Sequence, residues 1–344
     1  MTHRGKGLAR GALFAGRYRL ERLLRQSSRR TWEARDEEED REVVVEVLHP
    51  DLTRGSARER FFREGNAVER IASRHVAEVL DRGVDDDWPY LVFPRYAGES
   101  LGERLTAKTP LDVSEVAEIV RQCAAGLEAA HEAGVVHRDI EPANLLLVPD
   151  RRGVVVKIRN FGLAKVEERD RTRRLTRPGE LIGAPPYVSP ERVRARPPRP
   201  TDDLWSLAVV AYQALTRRVP FQGETFGATY VAVMEGEFRP PSELRPELPK
   251  DTDAFFRQAF SNAPEGRFID AAALSGAFRR SLGLDSVDLA RARERLGKRV
   301  ARGSNSEPPS RPVEPPAARR HVAMLLVVTH AAALALGVAL ATWM

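Results

Sequence analysis

The stretch Val136-His137-Arg138-Asp139-Ile140-Glu141-Pro142-Ala143-Asn144 constrains this chain more than any other. It places an acid, a basic neighbour and an amide at a spacing suited to phosphoryl transfer. An aspartate there can take a proton from a hydroxyl, and an asparagine on the same loop can reach a metal. Sixteen positions after Asn144 stands Asn160-Phe161-Gly162. Ser189-Pro190-Glu191, Asp203-Leu204-Trp205-Ser206 and Pro264-Glu265-Gly266-Arg267 follow in that order.

From about Tyr18 to Leu282 this series resembles the eukaryotic-like serine/threonine protein kinases of bacteria. The resemblance implies an α+β, bilobal fold with a small β-rich N-lobe and a larger helical C-lobe. It also implies roles. Asp139 and Asn144 occupy the catalytic positions, flanked by His137 and Arg138. Phe161 and Gly162 close the xFG triplet, and Glu64 is the ion-pair glutamate of the first helix. Asp203 ties down the backbone of the Asp139 loop, and Glu191 pairs with Arg267. Phe93 gates the pocket, with Pro94 to Tyr96 as the hinge. Thr172 and Thr176 lie among arginines and are candidate phosphosites, with Arg138 available to pair a phosphate.

The departures from the family pattern gather where a nucleotide would sit. The usual lysine at position 46 is Glu46, and the small floor of the adenine pocket is the bulkier Val44. A second usual lysine is Glu141, the metal-binding aspartate is Asn160, and a usual threonine is Ala184. The hairpin around Arg25 to Arg30 has no glycine, so its backbone cannot approach phosphates closely. Two like charges ~4 Å apart repel by about 4 kcal/mol at an effective dielectric near 20, and about 1.4 kcal/mol costs tenfold in rate. The expectation is therefore a degenerate phosphate site built of Glu46, Val44, Glu141, Asn160, Arg29 and Arg30. Asp139 and Asn144 are then vestigial, with no metal and no cofactor; ATP without Mg²⁺ is the lesser alternative. Arg29 or Arg30 is expected to insert between Glu46 and Glu64, the other outcome being a helix swung outward. This reading makes the chain a pseudokinase, not an enzyme, acting as a scaffold or allosteric partner for an active kinase or another signalling protein. Its rivals are a weak or unconventional serine/threonine kinase, with an arginine of the 25–30 loop replacing the lysine, and a metal-independent nucleotide sensor.

The ends carry a different signal. Net charge is +6 and 42% of residues are hydrophobic, a balance that suits a folded chain. The single cysteine, Cys123, excludes an internal disulfide framework and fits a reducing compartment. The excess positive charge sits in residues 1–17 and 283–320. From Val322 to Trp343 no residue is charged, long enough to cross a hydrocarbon core of about 30 Å at about 1.5 Å per residue. Arg319 and Arg320 precede it, so the expectation is a single-pass cell-membrane protein with the kinase-like domain cytoplasmic. Ala333, Gly337 and Ala341 form a small-xxx-small row that would let two copies pair. Because the basic residues flank an apolar span, no nucleic-acid partner is expected. The domain plan is a basic flexible tail (1–17), the kinase-like domain (18–282), a basic helix and proline-rich linker (283–320), and a transmembrane helix (321–344).

Overall fold

A computed structural model describes residues 8–26, 29–49, 61, 62, 65, 67–107, 110–161 and 185–304. Glu64, Gly162, Thr172, Thr176 and Ala184 lie outside the described residues, as do the 322–343 run and the Ala333, Gly337, Ala341 row. Among the described residues no helix is long and apolar enough to cross a membrane.

The N-terminal lobe is built on an antiparallel sheet of six strands: β1 (Leu13–Phe14), β2 (Tyr18–Gln26), β3 (Arg29–Asp36), β4 (Arg41–Leu48), β5 (Asp81–Asp85) and β6 (Trp88–Pro94), in the order β1-β2-β3-β4-β6-β5. Side chains alternate between sheet faces with period two. Val43, Val45 and Val47 therefore enter one apolar cluster with Tyr18, Leu20 and Trp32. Val44, Glu46 and Leu48 take the opposite face, and Leu48 packs there with Phe61 and Leu91. The β3–β4 register sets Arg29 opposite Leu48 and Thr31 opposite Glu46. Arg29 is thus a diagonal neighbour of Glu46 on one face, close enough for side chains to meet. Arg30 points the other way and lies over the Trp88 ring.

The larger half is helical. Strand β7 (Glu99–Ser100) leads to α1 (Leu101–Thr106) and then α2 (Val113–Glu132). Asp112 caps α2 in a box with Glu115, satisfying amide groups a helix start leaves unpaired. Val116, Val120, Cys123 and Leu127 put α2 at the centre of the larger core. Strands β8 (Leu145–Asp150) and β9 (Gly153–Ile158) complete a three-stranded sheet with β7. Then come α3 (Pro200–Thr216), α4 (Phe226–Glu235), α5 (Lys250–Ala259), α6 (Ala271–Ser281) and α7 (Ser286–Ser304).

Helix α7 packs onto the same compact unit beyond residue 282. The cause is visible on both surfaces of the helix. Leu289, Ala292, Leu296 and Val300 are buried. Arg299 donates to the fully buried Glu115 of α2 at 3.0 Å, and Arg295 to Ser114 at 2.8 Å. Arginines that read as a basic flank in the sequence are thus turned inward to satisfy polar groups on α2, which burial would otherwise penalise heavily.

Candidate active site

The loop 137–144 is held by its backbone. Asp203, wholly buried at the start of α3, accepts from the His137 amide at 2.8 Å and the Arg138 amide at 2.7 Å. The His131 ring reaches the same carboxylate at 2.8 Å. Arg138 has φ 73°, a left-handed conformation that costs a non-glycine residue energy unless its surroundings impose it. The two bonds to Asp203 supply that constraint. His137 is fully buried, and burial holds its pKa below the ordinary histidine value. It is therefore neutral. Its Nδ1 accepts from the Asp139 amide, so Nε2 carries the proton and donates to the Arg159 carbonyl at 2.9 Å. The ring also meets Phe161 edge-on, centroids 4.5 Å apart.

This scaffold sets three polar side chains in a row. Asn144 Nδ2 donates to Asp139 Oδ2 at 2.9 Å and to the Asp139 carbonyl at 2.8 Å. Asn144 Oδ1 in turn accepts from Asn160 Nδ2 at 2.7 Å. Asn160 sits at φ 67°, a region asparagine enters more readily than most residues. With aspartate at 160, two oxygens would face one another and call for a cation between them. The amide of Asn160 bridges that gap with an N–H. The donor set therefore does not fit a resident divalent cation: Asn144's oxygen is engaged, and position 160 brings no negative charge. Among the described residues no cluster of three or more His, Cys, Asp or Glu could hold a metal ion.

The charges of the cleft are rearranged rather than inverted. Arg29 Nη1 lies 3.7 Å from Glu46 Oε2, both side chains nearly buried. Glu46 thus has a cation on its own sheet face. Val44 stands beside it, paired across the strands with Phe93. Glu141 is half-buried, and its pKa is pushed up to about 7, first by burial and then by the Asp139 carboxylate; Arg25 and Arg159 pull the other way. Arg159 follows the end of β9. Its amide donates to the Asn144 carbonyl at 3.0 Å, and its Nη2 to the Ala143 carbonyl at 2.8 Å. Burial lowers its pKa while the carboxylates of Glu46, Glu103 and Glu141 oppose that shift. Arg159 also lines, with Asn160, Phe161, Leu91 and Phe93, a narrow cavity of about 10 Å³, roughly the space of one water.

Further off, Glu191 and Arg267 form a buried two-point ion pair at 2.9 and 3.1 Å, and the guanidinium stacks on Trp205, 4.6 Å from the ring centroid. Arg159 is the residue the sequence reading missed. Its signal was an arginine directly ahead of Asn160, just after a strand rich in valine.

A two-lobed fold, with a buried aspartate anchoring a loop that presents an acid and an amide to the cleft, is the architecture of the protein-kinase class. The protein kinase domain model matches residues 27–275, and the chain belongs to that family. It is 34% identical over 245 residues to a probable serine/threonine-protein kinase of Corynebacterium efficiens, an alignment covering 68% of this chain and 36% of the relative. It is 31% identical over 303 residues to the serine/threonine-protein kinase pkn3 of Myxococcus xanthus, covering 86% and 54%. To PknA of Mycobacterium tuberculosis it is 31% identical over 308 residues, covering 88% and 66%. The chain thus spans about a third to two thirds of the length of these relatives. Among solved structures, the kinase domain of Mycobacterium tuberculosis PknI superposes with a TM-score of 0.61 at 25% identity, covering 80% of this chain and 99% of that one.

These relatives correct one expectation. Non-enzymatic status does not stand: the domain and its relatives are those of serine/threonine kinases, and their names give a scaffold role no support. The error was physical. The acids at 46 and 141 were weighed by their repulsion of phosphate, with only an arginine of the 25–30 loop expected near Glu46; Arg29 does lie there, and Arg159, just after β9, adds positive charge acting on both acids.

Proposed function

We propose that the chain is a serine/threonine protein kinase with an unconventional phosphate site. The observation that carries this reading is the Asp139–Asn144–Asn160 row, held by Asp203 at the mouth of an arginine-bearing cleft. In the reaction, a serine or threonine oxygen of a protein substrate forms the new bond to the γ-phosphorus of ATP. The bond from that phosphorus to the β,γ-bridging oxygen breaks, ADP leaves with the electron pair, and the hydroxyl proton passes to the Asp139 carboxylate. Asn144 fixes one carboxylate oxygen, leaving the other for the proton. Charge on the transferring group is met by guanidinium groups, and no step is assigned to a metal. Incubation with ATP and a generic protein substrate tests the reading. The wild type transfers phosphate and Asp139→Ala loses at least a hundredfold of that rate; transfer that survives the substitution would sink it.

We further infer that the 322–343 run anchors the kinase in the cell membrane with its catalytic domain cytoplasmic. The support is the length of the uncharged run and the arginine pair before it. Full-length protein should pellet with membranes and resist alkaline extraction. Release by alkali would contradict the anchor.

A further inference from the structure

We propose that Arg159 is the phosphate-binding cation of this cleft, replacing the lysine that position 46 lacks by reaching in from the end of β9. The inference rests on the kinase reading above and names the residue that holds the nucleotide's phosphates.

Four observations converge on Arg159. First, its backbone is pinned on both sides, its amide donating to the Asn144 carbonyl and its carbonyl accepting from His137. Such a residue projects its side chain from a fixed base, as a preorganised binding group requires. Second, that base directly precedes Asn160, so the guanidinium belongs to the same loop system as Asp139. Third, the guanidinium is under-used. A guanidinium carries five N–H donors; Nη2 meets the Ala143 carbonyl, while the buried Nε finds no hydrogen-bond partner among the described residues. Fourth, two of the three carboxylates acting on it, Glu46 and Glu141, stand at the two positions where the family keeps lysines. The positive charge has moved from the wall of the cleft to its floor, and the acids have taken the places it left. A planar guanidinium suits a phosphate, which can accept two parallel hydrogen bonds from it.

The other cations of the cleft fit the role less well. Arg29 faces Glu46 at 3.7 Å deep under the sheet, and Arg30 lies over Trp88 on the opposite face. Arg25 is exposed on β2, available to the outer phosphates but not anchored beside Asp139.

Binding of ATP and of adenosine to the full chain, wild type against Arg159→Met, separates the possibilities. Methionine keeps the apolar stem and removes only the charged head. ATP should bind at least tenfold more weakly to the variant, with adenosine affinity unchanged. Arg159→Lys should recover part of the loss, and so should Glu46→Lys in the Arg159→Met background, by restoring a cation to β4. Unchanged ATP affinity in Arg159→Met would overturn the inference while leaving the kinase reading intact. Parallel weakening of ATP and adenosine would overturn it too, marking a structural residue. A wild type that binds no ATP would remove the kinase reading itself.

Discussion

Glu141 carries an unusual burden for one side chain. Its folded-state pKa is near 7 because burial and the neighbouring Asp139 both disfavour its charge. In the unfolded chain it titrates near 4.3. Between those values the folded state holds a proton that the unfolded state gives up. The stability linked to this proton is complete below the unfolded pKa and is lost as pH rises through 7. Glu141→Gln should remove that loss and stabilise the domain by about 2 kcal/mol at pH 8, read as a raised denaturation midpoint at pH 8 with little change at pH 4. The same substitution should hold up phosphate transfer above pH 7, where the native carboxylate repels the incoming phosphates. A wild-type-like loss of stability with pH in the variant would contradict the assignment. At this scale the sequence revealed which positions had changed, Glu46, Glu141 and Asn160. It revealed only part of their compensation. A pairwise reading of one strand asks what a carboxylate does to phosphate; it does not ask which guanidinium from another sheet will act on that carboxylate. Arg29 was legible because strand pairing places it beside Glu46. Arg159 was not, since its action on Glu46 and Glu141 depends on how the end of β9 is placed against the six-stranded sheet.

Elements were easier to foresee than contacts. Short apolar runs announced β4 and β6, and the series Val116, Val120, Cys123 and Leu127 announced α2, with Asp112 or Ser114 as candidate caps, of which Asp112 makes the capping box. Helix α7 shows the limit. Its basic composition was legible, and a helix over 285–301 was expected, but its docking on α2 was not. The docking depends on buried acids 170 to 185 positions away and on a close crossing of two glycines. A Cβ added at Gly297 would collide with the Gly153 backbone, and Gly153 itself sits at φ 115°, where side chains are strained. Gly297→Ala should therefore lift α7 from the β8–β9 turn and cost about 1–3 kcal/mol in denaturant unfolding. A neutral effect would mean that the crossing is looser than the structure places it.

At the scale of the molecule, the larger apolar clusters among the described residues, one in each lobe, frame a polar seam. The scaffold positions Asp203, Glu191 and Arg267 belong to that frame, so their retention speaks to folding more than to chemistry. The chemistry rests on Asp139 and on whether the rearranged cations suffice for a triphosphate. Coulomb arithmetic on the sequence alone says they do not, because it counts the acids at 46 and 141 without the arginines that reach them. The most direct measurement is transfer of label from γ-labelled ATP into acid-stable phosphoserine or phosphothreonine, with wild-type protein and Asp139→Ala run side by side. Label in the wild type and none in the variant is the predicted result; no label in either, or equal label in both, would contradict it.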